Sequence, residues 1–312
     1  VTASPPPAKG KRLPWSAIPA RLRAEAERLL GGRVTAAETQ PGGFSPGVAA
    51  RLQLSNGARA FVKAVGDINP ESPDIHRAEA AITAALPAGT PAPRLLGFID
   101  DDGWVILLLE DIAGRLPAAG WPPDELDRVL AAMTALSESL TPAPIAAPPA
   151  ATRYSDLGRG WRALLTSGTD HGWAARNLER CVALEAGWGD AVSGDCLAHG
   201  DIRADNVLLT ADRVIFVDWP WACLAPPWFD LVTMLPSLVL DGGPEPETVL
   251  AGHPLARRAD PEAVTVVAAA LAGFFLWKGG QPDPPGLPTL RAFQRAQAEV
   301  ALRWLQTRTG WS

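Results

Sequence analysis

The sequence predicts an α+β protein, with strands gathered in the first third and helices in the remainder. Three observations carry that expectation. Val48, Ala50, Leu52 and Leu54 alternate with Ala49, Arg51, Gln53 and Ser55 as in a half-buried strand, and Asn56-Gly57 turns the chain back into a second strand over 58–65. Leu126, Val129, Leu130, Met133, Leu136 and Leu140 recur at helical spacing across 124–140. Two short apolar runs, 207–209 and 214–217, flank Ala211, Asp212 and Arg213 and read as a hairpin set among the helices.

Taken in order, the chain opens on a Pro-rich tail over 1–14 that has no apolar signal core and is predicted to be flexible, with Lys9 to Arg12 a solvated basic cluster. Residues 15–30 read as an amphipathic helix capped by Ser16, with Ile18, Leu22, Leu29 and Leu30 on one side, stopped by Gly31 and Gly32. Gly42, Gly43 and Gly47 precede the first hairpin, and glycines there let backbone N–H groups approach phosphates. Lys63 lies inside the return strand. A helix beginning near Pro73 carries Ile75, Ala78, Ile82 and Leu86 on one face, and Glu79 falls on that face. A carboxylate on a core-facing stripe requires a partner. Lys63 is the predicted one, since a strand lysine and a helix glutamate form the ion pair that kinases use to hold phosphates.

Residues 95–99 predict a strand, Asp100 to Gly103 a turn, and 104–109 a fully buried strand ended by Glu110 and Asp111. Residues 141–149 form a loop; 161–165 and 176–184 are helical, with Trp161, Trp173 and Trp188 as core aromatics. Trp219, Trp221, Trp228 and Phe229 read as core packing or as walls of an acceptor pocket. Asp260-Pro261-Glu262 starts a helix that is apolar nearly all round over 264–277, too short to span a membrane and therefore buried. A Pro/Gly loop over 279–288 precedes a last helix over 289–307.

The chemistry is densest between His199 and Asp218. Asn206 follows Asp201 by five residues, and Asp218 follows Asn206 by twelve. The hairpin places Asn206 and Asp218 at its two open ends, with Asp201 on the loop just upstream, so three oxygen-bearing side chains meet at one point. Phosphoryl transfer needs that grouping: one carboxylate orients the attacking hydroxyl, while an amide oxygen and a second carboxylate hold a divalent cation on the phosphates. Protein kinases arrange a D-x-x-x-x-N loop and a later Asp to the same end.

The segment HGD-x-x-x-x-N followed by a strand ending in D-W resembles the aminoglycoside phosphotransferase family of small-molecule kinases, and the likeness extends over 42–230. It implies a two-lobed, protein-kinase-like fold. A small antiparallel-sheet N-lobe would occupy 1–109, a hinge 110–114, and a larger, mainly helical C-lobe 115–312. It implies Asp201 as catalytic base, Asn206 and Asp218 as ligands of Mg²⁺, and ATP or GTP as co-substrate. Gly43, Ser45 and Gly47 would belong to the nucleotide loop, Lys63 would hold the phosphates with Glu79 behind it, and the backbone from Glu110 to Ile112 would hold the base. His199 and Asp230 would brace the catalytic loop. Two positions depart from the family's pattern: the glycine loop is not G-x-G-x-x-G, and Arg203 stands where many members carry a second His.

A net charge of −6 and a pI near 5.3, with no long basic block, argue against a nucleic-acid partner. Cys181, Cys196 and Cys223 form neither a zinc pattern nor a disulfide framework, which fits a reducing cytoplasm. No Lys or Arg occurs over 214–256, leaving Asp241, Glu245 and Glu247 as carboxylates that would favour a polycationic acceptor or would form a solvated, mobile loop with Gly242, Gly243, Pro244 and Pro246. Arg291, Arg295 and Arg303 in the last helix do not resemble the acidic C-terminal end of some aminoglycoside kinases. The predicted partners are therefore a nucleoside triphosphate and a small hydroxylated acceptor, with no nucleic acid and no membrane. The acceptor is an aminoglycoside or other antibiotic, or a metabolic alcohol of the sugar, choline or homoserine type; a non-catalytic nucleotide-binding pseudokinase is the reading from another class. A monomer and a dimer are equally compatible with the sequence.

Overall fold

The computed structural model describes residues 9–312. The first third folds around a six-stranded sheet: β1 (Arg12–Leu13), β2 (Val34–Thr39), β3 (Gly47–Leu54), β4 (Arg59–Val65), β5 (Leu95–Asp101) and β6 (Trp104–Glu110). The order is β1-β3-β4-β6-β5, with β2 sharing the free edge of β3 beyond β1. The β3–β4 hairpin turns at Asn56-Gly57, where Asn56 Oδ1 accepts the Ala58 N–H at 2.9 Å and Gly57 takes φ 84°.

Helices cover both faces of this sheet. Helix α1 (Ala20–Leu30) places Leu22 and Ala26, together with Trp15 and Ile18, on Val48, Ala50, Leu52, Val62 and Ala64. Helix α2 (Ser72–Ala85) places Ala80 over Val65, Val105, Leu107 and Leu109. The alternation of β3 holds over its second half, where Arg51 and Gln53 stay open between buried Ala50, Leu52 and Leu54, while in its first half Ala49 is buried along with Val48 and Ala50.

The predicted helix over 15–30 is broken. Trp15–Ala17 is a 3₁₀ turn, and α1 starts only after Pro19, which makes Pro19 the cap residue and leaves Ser16 without a capping role. The tail also differs from expectation over the residues described; residues 1–8 lie outside them. Gly10 N–H donates to Gly43 O at 2.9 Å, Lys11 N–H to Gly286 O at 2.8 Å, and Arg12–Leu13 pairs in parallel with Gly47-Val48. Arg12 is thus tied into the sheet rather than solvated.

The larger part is mainly helical: α3 (Pro123–Ser139), α4 (Ala150–Arg153), α5 (Gly160–Ser167), α6 (Gly172–Arg176), α7 (Leu178–Glu185), α8 (Trp188–Ala191), α9 (Phe229–Leu240), α10 (Pro246–Gly252), α11 (Pro261–Gly279) and α12 (Leu290–Thr309). Asp260 caps α11 by accepting the Glu262 N–H at 3.0 Å. By length and composition α11 could cross a membrane, but it packs most extensively against α12 and also against α5, α7, α8 and α9, within one apolar core. Two small hairpin-like pairs, β7 (Cys196–Ala198) with β10 (Cys223–Ala225) and β8 (Val207–Leu209) with β9 (Val214–Phe216), sit among these helices. The two parts make a two-lobed α+β fold, joined by the segment after Glu110, where Arg115 and Leu209 exchange backbone hydrogen bonds of 3.0 and 2.7 Å.

Candidate active site

Strand β4 carries Lys63 on the face opposite Val62 and Ala64, and α2 carries Glu79 toward it. Lys63 Nζ donates to both Glu79 oxygens at 2.7 and 2.9 Å. It also donates to Asp218 Oδ1 at 2.8 Å, so a cation from the small lobe bridges to a carboxylate of the large one. Burial works against the Lys63 charge, but Asp218 and Glu79 outweigh it and hold the ammonium above its ordinary range. Two carboxylates share that one cation. Asp218 is held below the usual carboxylate range because Lys63 outweighs its burial, while burial raises the more enclosed Glu79. Asp218 has φ 71°, a left-handed conformation unusual outside glycine and of the kind that clusters at functional sites.

Asp201 and Asn206 stand on the loop between β7 and β8. Asn206 Nδ2 donates to the Asp201 carbonyl at 2.7 Å and to its carboxylate at 3.1 Å. Its Oδ1 then accepts from none of the described residues. The loop is fixed from beneath. Asp230, in the first turn of α9, accepts the N–H groups of His199 at 2.8 Å and Gly200 at 2.7 Å. His199 Nδ1 accepts the Asp201 N–H at 3.2 Å, and Nε2 donates to Val217 O at 3.0 Å. Those partners require the neutral ring, and burial lowers its pKa to about 4. Gly200, at φ 88°, passes so close to Tyr154 that a Cβ there would meet the phenolic oxygen at 2.0 Å.

Burial raises the Asp201 carboxyl to about 7, against the pull of Arg203. Arg203 Nη1 lies 3.0 Å from Asp201 Oδ1, and its Nε and Nη2 fork onto Asp205 at 3.0 Å each. Above it, the guanidinium faces the rings of Phe44, at 5.5 Å, and Phe293, at 5.7 Å. The glycine loop therefore reaches down to the loop that carries Asp201. Arg12 holds that loop in shape by donating to Gln40 O at 3.1 Å and to the carbonyls of Gly42 and Ser45. Gly43 and Gly47 have φ 89° and 104°, and a side chain at Gly47 would strike the Ala64 carbonyl.

In the connecting segment, Glu110 pairs through its side chain with Arg94 at 3.1 Å. The Ile112 carbonyl accepts from Gly114 and from Arg51, and the Ile112 N–H donates to none of the described residues. The aromatic residues after Asp218 separate by burial. Trp219 is 1% exposed, packs at a tilt against His199 with ring centroids 4.6 Å apart and donates to Phe216 O, and Trp228 is 6% exposed; both belong to the core. Trp221 is half-buried beside Tyr154, with the Arg153 guanidinium 6.0 Å from its ring.

The three acidic residues also separate. Asp241 ends α9, and burial with Asp205 nearby raises its carboxyl to about 6. Glu245 is the exposed cap residue of α10. Glu247 accepts from Trp304 Nε1 and Arg308 Nη1, both at 2.7 Å, so it is not a carboxylate without a cation. The segment around Gly242 and Pro244 is the five-residue link 241–245 between α9 and α10. Residues near the site that the sequence reading passed over are Arg12, Phe44, His76, Asp205 and Phe293. His76, one helical position set before Glu79, is 3% exposed and bonds Ser72 O; burial and Lys63 lower it to about 4.

Lys63 of the small lobe faces Asp218 of the large one beside the loop of Asp201 and Asn206, an arrangement of the kind found in kinase-like small-molecule phosphotransferases acting on hydroxyl acceptors. The chain belongs to the phosphotransferase enzyme family, whose model matches residues 42–265. Among solved structures, it resembles the choline kinase LicA of Streptococcus pneumoniae at TM-score 0.62 and 14% identity, over 92% of this chain and 98% of that one. It resembles a candidate fructosamine-3-kinase of Thermobifida fusca at TM-score 0.59 and 21% identity, over 90% and 98%. The amicoumacin kinase hAmiN, in complex with AMP-PNP, Ca²⁺ and Ami, gives TM-score 0.53 at 12% identity, over 92% and 95%. At these identities the likeness is one of fold. No curated protein matches by sequence.

Proposed function

We propose that the chain transfers the γ-phosphate of ATP or GTP to a hydroxyl of a small acceptor bearing an amino group, with an aminoglycoside as the leading class. The observation that carries the reading is the convergence of Lys63 on Asp218 at 2.8 Å beside Asp201, the grouping that phosphoryl transfer requires. Lys63 would hold the phosphates with Glu79 positioning it, and the free Ile112 N–H would meet the base in the segment Glu110 to Ile112. The loop carrying Gly43, Ser45 and Gly47 would cover the phosphates. Asn206 Oδ1 and the second Asp218 oxygen would offer oxygen donors of the kind a hard cation such as Mg²⁺ takes. When bound, the ion supplies neutralisation of phosphate charge. Asp201 orients the acceptor hydroxyl and takes its proton, and His199 and Asp230 keep its loop in place. Catalysis rests on positioning and charge stabilisation.

Asp241, half-buried near Asp205, supports an amine on the acceptor. The engagement of Glu247 by Arg308 favours a second reading, a metabolic amino alcohol of the choline type that carries fewer charges than an aminoglycoside. The test is ADP and GDP release with Mg²⁺ against aminoglycosides, other hydroxylated antibiotics, amino alcohols and sugars, with Asp201→Asn as control. Acceptor-dependent release that Asp201→Asn lowers by orders of magnitude supports the reading. Undiminished release in that variant sinks the role of Asp201, and nucleotide binding without release on any acceptor favours a pseudokinase.

A further inference from the structure

Beside the connecting segment lies a second cavity of about 530 Å³. Lys63, Glu79, Asp201, Asn206 and Asp218 take no part in its lining. Four arginines do, and each comes from a different element: Arg51 from β3, Arg59 from the start of β4, Arg115 from the connection and Arg128 from α3. The rest of the lining is Ala113 and Gly114 of the connecting segment and Leu209, Thr210 and Ala211 of the β8–β9 hairpin. A cluster of this kind is unexpected in a chain of net charge −6.

The local charge does not balance. Arg51 and Arg59 share Asp111, whose side chain is 2% exposed, and Arg115 pairs with Glu125 at 2.5 Å. Arg128 donates to the Thr210 carbonyl at 2.9 Å and forms no ion pair among the described residues. Four guanidinium groups form ion pairs with only two carboxylates, Asp111 and Glu125, with Asp124 acting on Arg115 from farther off, so positive charge stays in excess. Arg59 and Arg115 line the cavity and are 51% and 59% exposed, with Arg115 also donating to the Leu116 carbonyl at 3.1 Å. Holding like charges together is unfavourable unless an anion joins them. Planar guanidinium forks match phosphate oxygens in pairs, and a cavity of this volume suits a small molecule.

We propose that this cavity binds a small phosphate-bearing anion of the pyrophosphate class, at a site separate from the phosphotransfer centre. The bound anion bridges the two lobes, because Arg51 and Arg59 belong to the sheet and Arg128 to the helical part. Arg51 also donates to the Ile112 carbonyl at 3.3 Å, so occupancy is felt in the connecting segment.

The test is calorimetric titration of the full chain with inorganic pyrophosphate, at fixed ionic strength, without divalent metal and with saturating AMP-PNP to fill the nucleotide cleft. The comparison variants are Arg59→Gln/Arg115→Gln, chosen because both side chains are largely exposed, and Arg128→Gln; circular dichroism checks their folding. One pyrophosphate per chain, bound at least about tenfold more weakly by the double variant, is the expected result. A parallel titration with glucose 6-phosphate separates a free anion from the phosphate end of a larger ligand, and either form of binding at these arginines supports the site. Binding of equal strength in all variants overturns the proposal. So does equal binding of sulfate, or no binding at millimolar concentration.

Discussion

The Arg203 guanidinium joins the carboxylate of Asp201, at 3.0 Å, to that of Asp205, at the same distance, beneath Phe44 of the glycine loop. One cation thus neutralises the residue expected to act as base and connects it to the loop above. Burial is the largest influence on Asp201 and raises its carboxyl to about 7, while Arg203 opposes that rise. The ionisation of the proposed base therefore falls where small changes in its surroundings alter the working fraction.

Arg203→Ala removes the opposing charge. The Asp201 carboxyl then rises further, and less of it is ionised at neutral pH. A base must be ionised to accept a proton, so the acid limb of the kcat profile moves to higher pH by about one pH unit or more. Rates below the limb fall about tenfold, and rates well above it recover. Arg203→Lys keeps the charge but loses the fork on Asp205, and falls between the two. An acid limb in the alanine variant that coincides with that of the natural chain would refute the coupling.

Lys63 stabilises the fold as well as the site. Lys63→Met leaves the buried Glu79 and the one-third-exposed Asp218 without their shared cation. Breaking a buried pair in this way costs about 3–5 kcal/mol. Burial already raises Glu79, and without Lys63 it rises further. A carboxylate raised in the folded state costs stability above its folded pKa, and that cost disappears as pH falls through it. The variant should be far less stable than the natural chain at pH 8, with the gap narrowing at pH 5.5, as read by urea denaturation at both values. An equal gap at the two pH values would show that lost packing, not uncompensated charge, is responsible.

What the sequence revealed of this arrangement follows from how local each signal is. The Asn56-Gly57 hairpin was legible because turn chemistry is local, and the meeting of Lys63 with Glu79 because a carboxylate on an apolar stripe demands a cation. The β8–β9 hairpin was legible for the same reason, and it brings Asn206 and Asp218 to one end. Strand β2 was not: five of the six residues in Val34–Thr39 are exposed, so it has no apolar alternation to read. Arg12 was misjudged because its partners are carbonyls of residues 40, 42 and 45, reached only once β1 pairs with β3. Pro19 was the available signal against a continuous helix from Trp15, and it outweighs the weak cap at Ser16. Trp219 and Trp221 are indistinguishable as residues two apart in a turn; only tertiary packing puts the first in the core and the second at its edge.

The same limit applies to Asp241, Glu245 and Glu247, which the sequence presents as one acidic group. Their surroundings assign them different work. Glu247 spans Trp304 and Arg308 of α12, so Glu247→Gln weakens the attachment of that helix and lowers thermal stability while leaving acceptor KM unchanged. Glu245→Gln, at an exposed helix cap, alters neither by more than a small factor. Asp241 is the exception: its carboxyl lies near enough to Asp205 and Arg203 to feel both, which places it beside the catalytic loop. Asp241→Asn should raise KM about tenfold or more for an amine-bearing acceptor and leave nucleotide KM unchanged, since charge-assisted hydrogen bonds contribute roughly 1.5–3 kcal/mol. With a sugar acceptor lacking an amine, the same variant should show no KM change. Burial raises Asp241 to about 6, so the preference for amine acceptors in the natural chain should fade as pH drops below 6, where the carboxyl protonates and its attraction for an ammonium is lost. A KM increase shared equally by amine-bearing and amine-free acceptors would instead make Asp241 a residue that shapes the loop.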